Sequence, residues 1–565
     1  MHFLDWFVLV GTLLFIIVYG MYKSRGQNSM EGYLLGDRSL PWYHIMFSVI
    51  TTQASAITFI SAPGQAFTDG MRFVQFYFGM PLALIVVSAF FLPRFSKANV
   101  FTAYQYLETR FDTRTRAFTA LLFLLQRGLS AGLTIYAPAL ILSSILGWNI
   151  YLTNFIMGGL VIVYTVGGGT KAVSYTQVQQ MVIITIGMFI AGFMVVKLLP
   201  EDIGLLDAMH ISGAVGNMNA ITTNFDLNDK YNVWSGLIGG FFLALSYFGT
   251  DQSQVGRYLS GKSVDESRKG LLLTGAVKIP MQFLILLIGA LMVAFYHFHP
   301  TPIFFNSTQL AKVEQAEYAP QFNALKAQQV EIDAAKNQAA LAYVEAKRVE
   351  NTSATATAKA ELMDLKGREK NLRAETKKLI ALADKTADTN DTNYIFLDFV
   401  MRYLPEGLIG LLIAVIFCAS WSSTASELNA LSSTTVVDLY KRLMNTKAND
   451  IHYLLASKWM TVVWGLLAIG VAQFANTLGS MIEAVNVLGS LFYGTVLGIF
   501  ITAFALKRVQ GTAVLYAAII AELTVLVLFA TDTLAFLWLN LVGCLLVMII
   551  ASVIQLFQKE KMQIQ

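Results

Sequence analysis

Apolar runs of about 20 residues recur along the whole chain, separated by short polar stretches, and each is long enough for a helix to cross a ~30 Å hydrocarbon core. The pattern predicts thirteen spans, at roughly 5–22, 41–66, 71–92, 117–146, 150–166, 176–197, 233–257, 269–297, 396–436, 453–475, 481–506, 510–531 and 533–557. Two of them break their own pattern. In span 2, SVITTQASAITFIS puts Thr51, Thr52, Gln53, Ser55 and Thr58 inside an apolar stretch, and in span 9 SWSSTASELN does the same from Ser420 to Asn429. Hydroxyl and amide groups are costly at the centre of a bilayer, so paired clusters of them point to a lined cavity or a held ion.

Composition agrees with the pattern. A chain of 565 residues with 55% hydrophobic and only 13% charged residues is a polytopic membrane protein whose first partner is the lipid bilayer. A soluble globular chain would carry about a quarter charged residues. The net charge of +4 is no signature of nucleic acid, because the basic residues sit in short loops between spans. There they report orientation instead. Lys23 and Arg25 follow span 1, Arg94, Lys97 and Arg110 follow span 3, and the series resumes behind later odd-numbered spans with Lys262, Lys441, Arg442, Lys507 and Arg508. This ladder predicts an N-terminus outside and a C-terminus in the cytoplasm, in a plasma membrane (the inner membrane of a bacterium). The opening MHFLDWF has no basic residue ahead of its apolar run, so it reads as an uncleaved helix rather than a signal peptide. Cys418 and Cys544 both fall in apolar spans and give neither a disulfide framework nor a metal-site spacing.

Residues 308–388 do not belong to the membrane, being rich in Ala, Lys, Glu and Gln. Leu325, Ile332 and Ala339 stand seven apart, as do Leu365, Leu372 and Leu379, which is the seam of a helical hairpin or short coiled coil. The chain thus divides into spans 1–8 (1–299), an extracytoplasmic helical hairpin insertion (300–391), and spans 9–13 with a short cytoplasmic tail (392–565). The hairpin reads either as a docking arm for an extracytoplasmic protein partner or a lid, or as a tolerated loop insertion, the second being favoured.

Span 7 is also interrupted, at SYFGTDQSQ, five spans after the break in span 2. Spans 2–6 and 7–11 therefore form two five-helix repeats, with span 1 and spans 12 and 13 peripheral. Unwound backbone at such breaks offers carbonyls to a cation and amides to an anion. Six runs then occur in order: SAITFISAPGQAF, TAYQYLETRFDTRTR, GLTIYAPALIL, YTVGGGTKAVSYTQVQQ, DQSQVGRYL and SSTASELNALSSTTVVDLYKR. With these the membrane portion, excluding 300–391, resembles the sodium/solute symporter family, nearest in pattern to its monocarboxylate, multivitamin and iodide branch. The resemblance implies an all-α, leucine-transporter-like fold with a five-plus-five inverted repeat. It also implies import of a small organic solute by alternating access, driven by Na+.

The same resemblance implies a sodium site between spans 2 and 9, built from backbone oxygens of Thr51, Ala54 and Ala419 and the hydroxyls of Ser422 and Ser423. Hard cations take oxygen ligands, though small residues such as these serines also let helices pack closely. The solute pocket it implies is lined by Gln53 and Thr58 of span 2, Gln75 of span 3 and Tyr136 of span 4, with Asp251 and Gln252 of span 7 and Glu483 of span 11. Relatives with a second sodium carry an acid in a T-D-x-x-Q run of span 6, where this chain reads Thr176-Gln177-Val178-Gln179-Gln180, and Ala425 precedes Ser426 at the companion serine. One sodium per solute is the consequence.

Substrate class stays open at this level. FVQFYFGMPLAL in span 3 lacks the glutamate of sugar-transporting relatives, which counts against the sugar or polyol alternative without removing it. Asp251 and Glu483 replace amides of relatives, and acids there would repel an anion but suit an amine, sugar hydroxyls or a proton. Arg127, in the core of span 4, reads equally as a solute-binding cation or a helix-pairing arginine, and Glu427 as a residue that caps or braces span 9. A membrane enzyme is the rival from another class, but the six histidines form no HExxH motif or metal cluster. A channel would show repeated pore-lining motifs. The reading is a transporter and not an enzyme.

Overall fold

Inside a hydrocarbon core every backbone amide needs an internal partner, and helices supply one. The computed structural model describes residues 1–23, 29–315, 317–384, 387–475 and 480–564. Among them the only strand-like pairing is a single bridge, Leu40 with Gly261. Arg25 of the charge ladder and residues 316, 385 and 386 of the insertion lie outside the described residues.

Among the described residues eleven helices are long and apolar enough to cross a membrane, and the bent pair Trp42–Gln53 and Ala56–Asp69 supplies a twelfth. The expected seventh span is present as a shorter apolar helix, Ser235–Thr250, followed after Asp251 by Gln252–Leu259. Numbered as above, span 1 is Phe3–Gly20, span 2 the bent pair, span 3 Met71–Lys97, span 4 Thr113–Leu146, span 5 Ile150–Gly167 and span 6 Val173–Lys197. After the broken span 7 come Val264–Phe298, Leu408–Met444, Asp450–Ala472, Met481–Ala505, Gly511–Ala530 and Phe536–Gln558 as spans 8 to 13.

One boundary differs from expectation. Span 9 begins at Leu408 rather than near 396, and Ile395–Tyr403 forms a separate short helix. Pro405 explains the division, since it lacks an amide and pushes Leu404 out of the helical region (φ −84°, ψ 146°). Spans 5 and 6 fold back on each other at Gly169, whose φ of 55° favours glycine. The Tyr164 hydroxyl meets Thr176 Oγ1 at 2.6 Å, whereas twelve residues along a straight helix would separate them by ~18 Å. Span 8 lies so tightly on span 2 that a Cβ at Gly289 would stand 2.0 Å from the Pro63 carbonyl oxygen.

In the insertion, Ala319–Arg348 and Thr352–Ala383 pack side by side. Leu325, Ile332, Ala339, Leu365 and Leu372 are buried, and Leu379 is half-buried. Near its base the hairpin has a core of its own with Ile303, Phe304 and Phe322, while Ala339, Tyr343 and Leu362 join the core of the membrane body. Polar ties complete the seat: Lys366 Nζ donates to Val215 O (2.7 Å) and Asn217 Oδ1 (2.6 Å), and Arg373 pairs with Asp391 (2.6 Å). None of these ties reaches the helix breaks. Replacing 308–388 by a short Gly/Ser linker is therefore expected to leave sodium-driven uptake in proteoliposomes within about twofold of the full chain.

Where the chain leaves the hairpin, burial pushes the Asp388 carboxyl up from 3.8 to about 6, and Asp391 adds to the rise against an amide bond from Asn390. A raised acid pKa penalises the folded state only where the group is charged. The penalty is absent below about pH 4, grows between about 4 and 6, and is complete above about 6. Asp388→Asn should raise the melting temperature at about pH 7.5 and leave it unchanged near pH 4, measured by thermal unfolding at both values.

Candidate functional site

Two helix breaks and one polar stretch of helix meet in the middle of the membrane body. Span 2 bends by 59° at its break, where Ala54 (φ −84°, ψ 72°) and Ser55 (φ −75°, ψ 175°) leave the helical region. The Ser55 amide turns to Gln53 O (3.1 Å) and the Thr58 amide to Ser55 O (2.9 Å). The carbonyls of Thr51 and Ala54 thereby lose the i+4 amides that an unbroken helix would give them. The Thr51 hydroxyl points elsewhere, donating to Phe47 O at 2.7 Å.

On span 9, Ala419, Ser422 and Ser423 are fully buried. The Ser423 hydroxyl donates back to Ala419 O (3.1 Å) and Ser420 O (3.0 Å), while Ser422 Oγ has no partner among the described residues. An unmet buried hydroxyl costs ~1–3 kcal/mol, so this oxygen is free for a ligand. Spans 2 and 9 touch here, because the Thr52 hydroxyl donates to Ser426 Oγ at 3.1 Å. Gln177 of span 6 closes the group: its Oε1 accepts from Ser48 (2.5 Å) and its Nε2 donates to Ser426 Oγ (3.1 Å).

Beside this junction lies a small cavity of about 80 Å³. Gln53 and Thr58 line it from span 2, and Gln53 Oε1 is buried without a partner among the described residues. Its aromatic walls are Phe76 and Tyr77 of span 3, Tyr247 of span 7 and Tyr493 of span 11. Arg127 and Glu427 are the charged groups in its lining. The Arg127 guanidinium bonds to Asp251, to the Tyr493 hydroxyl (2.7 Å) and to Glu427 Oε1 (3.1 Å). Thr134 donates to Glu427 Oε2 (2.9 Å), and Asp251 also accepts from Tyr493 (2.8 Å) and from the amide and hydroxyl of Ser253. The extended backbone at Asp251 (φ −77°, ψ 120°) makes it both the end of one half of span 7 and the cap of the other.

Other residues implied for the pocket lie elsewhere. Gln75 is fully buried and spends its amide on Arg72 O, Tyr231 O and the Thr222 amide, fastening span 3 to the loop before span 7. Gln252 clamps the Ala103 amide and Phe101 O, both at 3.0 Å. Together with the Tyr104 bond to Thr250 O (3.0 Å), that clamp ties the break in span 7 to the segment ahead of span 4. Glu483 is partly exposed and paired with Lys230. Tyr136 is buried off the cavity, and Asp251 stands behind Arg127 rather than in the lining. Sequence reasoning leaves Arg127 between a solute-binding and a helix-pairing role and Glu427 as a brace of span 9, and it passes over Tyr247 and Tyr493, which look like ordinary core aromatics along the chain.

The model described as the Sodium:solute symporter family matches residues 33–318 and 376–521, so the gap falls on the hairpin. The chain is 24% identical over 556 residues to the sodium/sialic acid symporter NanT of Aliivibrio fischeri, covering 97% of this chain and 92% of that one. It is also 24% identical over 502 residues to the human sodium-coupled monocarboxylate transporter 1, covering 88% and 68%. Among solved structures, a Na+-coupled sialic acid symporter in a substrate-bound outward-open state shares the fold with a TM-score of 0.76 at 22% identity, over 98% of both chains. This chain belongs to the sodium:solute symporter family, with the family's all-α inverted-repeat fold and sodium as its coupled ion.

Proposed function

We propose that the chain imports a small organic solute across the plasma membrane by alternating access, with one sodium ion per solute, and that it transports rather than catalyses. Sodium would bind between the carbonyls of Thr51, Ala54 and Ala419 and the hydroxyls of Ser422 and Ser423. The solute would sit in the adjoining cavity on Gln53 and Thr58. The observation that carries this reading is the broken span 2, whose released carbonyls adjoin a span 9 with an unpartnered buried hydroxyl at Ser422. An ion shared by two helices makes their separation depend on its occupancy, which is the coupling that alternating access requires. The charge ladder supports an N-terminus outside, a cytoplasmic C-terminus and an extracytoplasmic hairpin.

One charge moving inward through 100 mV releases ~2.3 kcal/mol, enough for about fifty-fold accumulation of a neutral solute before the sodium gradient adds to it. The single-ion stoichiometry rests on Gln177, whose neutral amide faces Thr52 and Ser426. Gln177→Asp would put a carboxylate there and is expected to raise the Hill coefficient for sodium from about 1 toward 2. A coefficient unchanged in the variant, or already near 2 in the parent chain, contradicts the argument. The direct test of symport is uptake into proteoliposomes under an inward sodium gradient. Uptake that is unchanged when potassium replaces sodium defeats it.

A further inference from the structure

A cavity of about 530 Å³ lies under the hairpin, against the C-terminal ends of spans 2 and 8. It shares no lining residue with the central cavity. Lys366, Lys370, Arg373 and Lys377 stand at spacings of four, three and four along Thr352–Ala383, so one face of that helix presents a basic stripe to it. The other arm adds Lys336. Three of these five cations have carboxylate partners: Lys336 is held by Asp333 (3.3 Å) and Glu369 (3.2 Å), while Arg373 (2.6 Å) and Lys377 (3.7 Å) share Asp391. Asp69, the remaining acid in the lining, is taken by Arg72 (2.9 Å). Lys366 reaches only the neutral oxygens of Val215 and Asn217, and Lys370 has neither hydrogen bond nor ion pair among the described residues.

Two ammonium groups four residues apart on one helix face repel each other. Burial holds Lys366 below the usual lysine range, and Lys370 adds to the fall while Glu369 and Asp69 oppose it. What this pair lacks is a counter-charge, and an oxyanion between the two supplies it through charge-assisted hydrogen bonds. The floor of the cavity adds a second requirement. Phe67 is half-buried and meets Tyr296 edge to face at 5.7 Å, and Val293 joins them in the lining. A bare inorganic ion leaves that apolar floor uncovered, whereas an organic anion covers it and gains from the burial. We infer that the cavity binds a small organic anion, with its carboxylate or phosphate group held between Lys366 and Lys370 and its apolar body on Phe67. Lys336, Lys366, Lys370 and Arg373 all fall between the two matched segments of the family model, so the site belongs to the insertion. It contains neither helix break, and its ligand is held there rather than carried through the membrane.

The test is thermal unfolding of the purified full-length protein in potassium chloride, which keeps sodium-dependent binding out of the readout. The probes are benzoate and phenyl phosphate, with benzyl alcohol as the uncharged control and inorganic phosphate as the control without an apolar body. At least one organic anion should raise the melting temperature saturably, with an apparent Kd at least ~tenfold below those of both controls. The better of the two tells a carboxylate from a phosphate. Lys366→Gln with Lys370→Gln should raise that Kd at least ~tenfold. Lys359→Gln with Lys378→Gln, at exposed lysines outside the cavity lining, should leave it unchanged. Lys370→Gln alone breaks no bond among the described residues, so it carries the test should the double variant fold poorly, with a rise of at least ~threefold expected. Either control matching the organic anions, no saturable stabilisation by either anion, or full affinity retained in the Lys366 and Lys370 variants overturns the inference. So does an equal loss in Lys359→Gln with Lys378→Gln, which would mark a diffuse charge effect.

Discussion

Replacing Arg127 with glutamine is expected to abolish uptake and to cost most of the folded protein. Among the described residues the guanidinium is the only cation paired with Asp251 and Glu427, both buried, which it meets through Nη2 and Nη1. Removing one partner of a buried ion pair costs ~3–5 kcal/mol, because the charge left behind keeps its desolvation penalty without compensation. Here two carboxylates are left. Total stabilities of proteins are only ~5–15 kcal/mol, so a loss of this size is read as lower yield and a large fall in melting temperature. Neutralising the acids as well, in Arg127→Gln with Asp251→Asn and Glu427→Gln, should restore folding but not transport. Size-exclusion profiles and melting curves of the single and triple variants check this, and a single variant that melts like the parent chain contradicts it.

The second large effect belongs to Ser422 and Ser423. Alanine at both positions should raise the sodium concentration for half-maximal uptake by at least ~tenfold, the equivalent of ~1.4 kcal/mol, while the protein folds normally. Folding is spared because, among the described residues, the Ser423 hydroxyl bonds only within its own helix and the Ser422 hydroxyl has no partner. Back-bonded serines add little to helix stability, and an unmet hydroxyl subtracts from it. If the serines serve only to let helices pack, the opposite holds: sodium dependence stays put and alanine is neutral. Uptake measured against sodium concentration decides between the two.

The membrane spans and both helix breaks were legible along the chain because hydropathy and polar interruption are local signals. Span 2 breaks where Gln53, Ala54 and Ser55 interrupt the run, and span 7 at Asp251. The start of span 9 was misplaced because an apolar run continues through Ile395–Tyr403, and Pro405 divides it. The solute pocket was less legible, for a different reason. Gln75, Gln252 and Glu483 are polar residues at plausible depths, but their partners lie 156, 149 and 253 residues away, at Tyr231 O, the Ala103 amide and Lys230. Pairing at that distance leaves no trace in one sequence. The same holds for Arg127 and Glu427, 300 residues apart. Each was visible as an unusual charge in an apolar span, and only the fold makes them one wall.

The most direct measurement of the central claim is the number of sodium ions bound per chain, counted with radioactive sodium at equilibrium on purified protein and on Ser423→Ala. One ion per parent chain, with binding weakened at least ~tenfold in the variant, is the predicted result. Two ions per chain, or undiminished binding in Ser423→Ala, would contradict a single sodium site between spans 2 and 9.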